Sequence, residues 1–216
     1  MSKRWSREQR RRSGAYHEAA HAVVDGLEGH IVRYVSIAIE GTNNQDICVS
    51  AVNHHNVAGV GLIPAPWEAL GHATATLAGN IAMWREFGKT EISPWDNWEG
   101  LVQECEEIEE LGDPEELEND AMEIRKYCEA AALLGQMVRM PTPDELLEGS
   151  PPLTPPLPRT AKEAFEVALG AAEERVNTNW PAIVTVAEKL MDAGYLTGDE
   201  VEEVVFSSEL FQGETS

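Results

Sequence analysis

Residues 12 to 30, RSGAYHEAAHAVVDGLEGH, hold two histidines four positions apart with a glutamate directly after the first. On an α-helix His17 and His21 stand roughly 6 Å apart along the axis on one face, so their imidazoles can converge on one cation. Glu18, one residue round the helix, stays out of that pair yet remains close enough to hold a water beside it. The motif therefore demands a helix, and the composition supplies one. The stretch from about Ser13 to Asp25 is helix-forming and ends at Gly26 and Gly29, which are natural stop signals. The plainer description is a core helix in which Ala20, Val23, Val24 and Leu27 bury one side and the histidines pack or face solvent. Against it, random placement of the chain's histidines and glutamates gives roughly 0.02 such H-E-x-x-H patterns.

Two histidines make a weak site, because a catalytic zinc takes three protein ligands and leaves one position for water. Asp96 is attractive as the third, since it sits at the entry to a helix between Trp95 and Trp98, whose bulk can shelter a carboxylate. Glu99, Glu104, His72, His54 and His55 are alternatives that spacing does not separate. The same three histidines are candidates to steady an oxyanion, with surface or core packing as their default role. Trp67 and Trp180 read as packing residues.

Elsewhere the pattern predicts a mostly helical protein with a small β-sheet. HIVRYVSIAI, residues 30 to 39, and ICVSAV, residues 47 to 52, read as two strands around the turn chemistry of GTNNQD. Helices are expected from Trp67 to Phe87, from near Pro94 or Trp95 onward, and through residues 112 to 140. Seven prolines between Pro141 and Pro158 interrupt the pattern. Two further helices follow, with Pro181 suited to a first turn, Gly194 to an end, and Thr197 or Asp199 to the N-cap of a short last helix.

The 216 residues, 43% of them hydrophobic, can bury one sizeable core, which favours one domain from residue 13 to 216. Residues 1 to 12 carry +5 and form a basic N-terminal arm or a charged first helical turn, leaving −27 of the net −22 to the rest. That balance argues against nucleic acid or an anionic membrane as a partner of the folded body. Three widely spaced cysteines (Cys48, Cys105, Cys128) without a C-x-x-C fit a reducing compartment, and no apolar run approaches a membrane span. The expectation is a soluble, cytoplasmic protein.

With these residues in hand, the chain resembles the zinc peptidase domain of FtsH-type proteases. AYHEAAHAVV resembles that family's helix around HEAGHA, ATLAGNIAMWREFG its GGRAAEE…FG helix, and SPWDNWEGLVQE its GAQNDLERAT segment. The tail AAEERVNTNWPAIVTVAEKLMDAGYLTGDEV is similar to the family's closing helices, so the resemblance covers most of residues 14 to 107 and 161 to 205. It implies a helical FtsH-type peptidase fold in which His17, His21 and Asp96 bind Zn2+ and Glu18 is the general base, with a polypeptide as substrate. It also raises homo-oligomeric assembly.

The chain departs from the family in four places. Ala20 replaces a glycine, Met83 and Trp84 stand where acidic residues are usual, and the acidic, proline-rich stretch from about 112 to 160 has no counterpart. No G-x-x-x-x-G-K-[ST] loop is present, so the expected activity is ATP-independent, on accessible peptides, on one specific partner, or with a separate unfoldase. The missing nucleotide loop, the altered AGNIAMW block and the acidic insertion motivate the alternative expectation, a catalytically inactive peptidase-like protein with a binding or regulatory role.

Overall fold

The computed structural model describes residues 6–40, 47–49, 66–88, 94–111, 119–137 and 157–207. Among them are seven α-helices: α1 (Arg7–Leu27), α2 (Pro66–Phe87), α3 (Trp98–Leu111), α4 (Asp120–Met137), α5 (Ala161–Thr178), α6 (Trp180–Ala193) and α7 (Gly198–Ser207). Four three-residue strands accompany them: β1 (Tyr34–Ser36), β2 (Ala38–Glu40), β3 (Ile47–Val49) and β4 (Tyr195–Thr197). A 3₁₀ turn, Pro94–Asp96, precedes α3. No helix among the described residues is long and apolar enough to cross a membrane. The chain divides into two compact units, the first Met1–Gly61, Thr74–Ile92 and Ala171–Ser216, the second Leu62–Ala73 and Ser93–Gly170.

In the first unit α1 packs chiefly on α6. Ala15, Ala19, Ala22 and Val23 of α1 and Ile183, Val186, Ala187 and Leu190 of α6 are all fully buried, at spacings that put each set on one helical stripe. Tyr16 packs on Phe87, edge to face at 6.3 Å, and on Trp180 at 5.5 Å. Arg85 lies 4.4 Å over the Trp180 ring and donates to Asn177 Oδ1 at 2.5 Å, so Trp180 is the packing residue expected.

α1 begins six residues earlier than the glycine and alanine pattern suggests. Ser6 accepts from the Gln9 N–H while the Gln9 side chain accepts from the Ser6 N–H, a reciprocal cap that lets Arg7 to Arg12 enter the helix. Arg12 is held by Glu86 at 2.6 Å, which raises its pKa. The helix ends at Leu27 with Glu28 as its C-cap, followed by Gly29 with φ +83°, a conformation that favours glycine.

The expected single sheet is instead two antiparallel pairs. β2 pairs with β3, Ile39 opposite Cys48, as the two predicted strands would. β1 turns away to pair with β4, Val35 opposite Leu196, which buries both side chains. The run from residue 30 to 39 therefore serves two ladders, and its first part finds a partner from the far end of the chain.

In the second unit α3 and α4 pack together. Leu101, Cys105 and Ile108 on α3 and Ala121, Ile124, Cys128 and Ala131 on α4 form their buried faces. α4 accounts for the helical reading of residues 112 to 140, while 112–118 and 138–156, including most of the prolines, lie outside the described residues. Gly135 passes so close to the Pro158 carbonyl that a Cβ there would lie 2.1 Å from it. Trp67, expected to pack, is 39% exposed at the start of α2.

Candidate metal and catalytic site

α1 brings His17, Glu18 and His21 together in the first unit. The two imidazoles meet edge to face with their Nε2 atoms 2.9 Å apart. A tetrahedral zinc with Zn–N near 2.0–2.1 Å sets its nitrogen ligands about 3.3 Å apart, so the pair is within a few tenths of an ångström of a shared-ion geometry.

The tautomer of His21 follows from its other nitrogen. Nδ1 lies 2.8 Å from the carbonyl oxygen of Ala75 on α2, an atom that can only accept. Nδ1 therefore carries the proton and donates it, and in the neutral ring Nε2 keeps its lone pair on the side of His17. Metal-binding histidines are oriented in this way, with the remote ring N–H on a backbone carbonyl or carboxylate.

Glu18 is 6% exposed. Its Oε1 lies 4.0 Å from His17 Nε2, and its Oε2 is buried with no hydrogen-bond partner. Leaving such an acceptor unmatched costs about 1–3 kcal/mol, so folding alone gives no reason to keep a carboxylate there. The oxygen retains its full capacity to accept a hydrogen bond.

Ala20 is fully buried. Met83 accepts a hydrogen bond from Ser13 Oγ at 3.0 Å, which ties α2 to α1. Farther along α1, buried Asp25 accepts from His30 Nδ1 at 2.8 Å and its carbonyl accepts the His30 N–H at 2.9 Å, which fixes the turn into β1.

The remaining candidates lie in the second unit or outside the described residues. Asp96 ends the 3₁₀ turn, half-buried, one residue before Asn97, whose side chain caps α3 by accepting from the Gly100 N–H at 2.9 Å. Asp96 thus precedes α3 rather than lying inside its first turn. Glu99 is exposed and paired with Lys162 at 2.7 Å, which lowers its pKa, and Glu104 accepts from the Trp95 indole. His72 is buried and stacks on Tyr127 at 4.8 Å. Trp98 packs on Phe165 at 6.0 Å. His54 and His55 fall outside the described residues.

Histidine and acidic side chains among the described residues include groupings able to hold a metal ion. Neither the Ala75 carbonyl nor the Asp25–His30 pair follows from residue spacing. The one sequence signal near the first is the run of small residues in ATLAGN, which allows helices to approach closely. No protein-family model matches the chain, and no curated protein sequence matches it either.

Proposed function

We propose that the chain is a zinc-dependent endopeptidase that cleaves accessible or partner-specific polypeptides. The observation that carries the proposal is the His21 ring. Its Nδ1 is engaged by a backbone carbonyl and its Nε2 is aimed at the Nε2 of His17, on the helix that also buries Glu18 with an unpartnered oxygen. This donor set fits zinc, with two neutral imidazoles and an adjacent carboxylate. His17 and His21 would hold the ion, and the sequence resemblance supplies Asp96 as third ligand.

A bound zinc would supply a Lewis acid that brings the pKa of a water to about 7. Glu18 then acts as general base through its free oxygen, accepting a proton from the attacking water. Protonated, it returns that proton to the leaving amine. Burial keeps competing solvent from the carboxylate.

The test is Glu18→Gln, which removes the base without changing shape. Zinc content is expected to be unchanged while cleavage of an unfolded substrate falls at least about 100-fold. Undiminished cleavage would refute the assigned base. Zinc bound by the wild type with no cleavage of any unfolded substrate would favour the binding-protein reading.

A further inference from the structure

Glycine is the poorest helix former after proline, yet Gly79 stands in the middle of the 22-residue helix α2. A Cβ built on it would lie 2.5 Å from His21 Nε2, 2.7 Å from His21 Cε1 and 2.8 Å from His17 Cε1. Real Cβ atoms essentially never approach so closely, so the two rings occupy the space that any side chain at 79 would take.

The same position governs the carbonyl that His21 uses. In an α-helix the oxygen of residue 75 accepts the N–H of residue 79, one turn on, and the Cβ of that later residue flanks it. With glycine there, the second lone pair of the Ala75 oxygen is open to the His21 Nδ1–H, 2.8 Å away.

We infer that Gly79 is a positioning residue: by lacking a Cβ it lets His21 bond the Ala75 carbonyl and so fixes the tautomer and orientation that present both Nε2 atoms to one another. The effect on the rings is a property of the fold. Its consequence for zinc rests on the proposed function. The clashing atoms are the far ends of two side chains, so a methyl at 79 displaces the rings before it displaces the helix.

The experiment uses the full chain, metal-free, with the imidazole nitrogens observed by 15N–1H correlation at about pH 8.5, above the usual imidazole range. In the wild type His21 is expected as the Nδ1–H tautomer. Gly79→Ala is expected to lose it, giving a mixture or the Nε2–H form, and to weaken zinc binding at least about tenfold. A thermal comparison accompanies it. Gly79→Ala lowers the melting temperature in the wild-type background and raises it in His17→Ala/His21→Ala, where the rings are gone and alanine is the better helix residue.

An Nε2–H wild-type tautomer, an unchanged tautomer in Gly79→Ala, or the same thermal shift in both backgrounds would overturn the inference. So would failure of the triple variant to fold. If the tautomer and thermal results hold but the wild type takes up no zinc, the metal assignment fails and the role of Gly79 stands. If zinc binds and Gly79→Ala changes neither tautomer nor thermal pattern, the reverse is true.

Discussion

Glu18 and Cys128 are both buried, for opposite reasons. Glu18 keeps an oxygen without a partner beside two imidazoles, where a buried carboxylate gains nothing from packing. Cys128 lies in the α4 face as a small apolar group, and burial, aided by the nearby Glu129 charge, pushes its thiol pKa up to about 12 from 9.0. Because the folded value is raised, the thiol's contribution to stability is complete below pH 9 and is lost as pH rises toward 12. Unfolding free energies from urea titrations between pH 8 and pH 11 should therefore hold below pH 9 and fall above it in the wild type. The decline should be shallower in Cys128→Ala, and equal slopes would show that Cys128 is not the source. At this scale the sequence yielded His17, Glu18 and His21, because helical spacing within one segment fixes them. It did not yield the Ala75 carbonyl, which reaches His21 from 54 residues away through the backbone rather than through a residue type.

Helix ends were the more legible parts of the elements. Gly194 takes φ +75° after α6, Pro181 sits in that helix's first turn, and Thr197 caps α7. Thr197 Oγ1 accepts from the Glu200 N–H while the Glu200 carboxylate accepts from the Thr197 N–H at 2.8 Å, which lowers the Glu200 pKa. Thr197→Ala should cost about 1 kcal/mol in chemical denaturation, and no loss would mean that the cap is idle. The start of α1 was also written in the sequence, as Ser6 and Gln9, but the arginines around it read as either an arm or a charged first helical turn. Strands were least legible. β1 and β4 have three residues each and lie about 160 positions apart, and local alternation carries no information on such a partner. Gly198 shows how closely that junction is built. Its N–H donates to the Arg33 carbonyl at 2.7 Å, and a Cβ on it would lie 1.8 Å from the Val32 oxygen.

For the whole molecule, composition anticipated a mostly helical chain, and the described residues bear that out. The division into two units was not anticipated, because α2 and α5 each contribute residues to both. The central claim is that His17 and His21 hold zinc. It is tested most directly by elemental mass spectrometry on protein purified without added metal or chelator, beside the His17→Ala/His21→Ala variant. The account predicts about one zinc per wild-type chain and almost none in the variant. A wild-type value near zero, unchanged after zinc is offered and the protein dialysed, would contradict it and leave α1 an ordinary core helix.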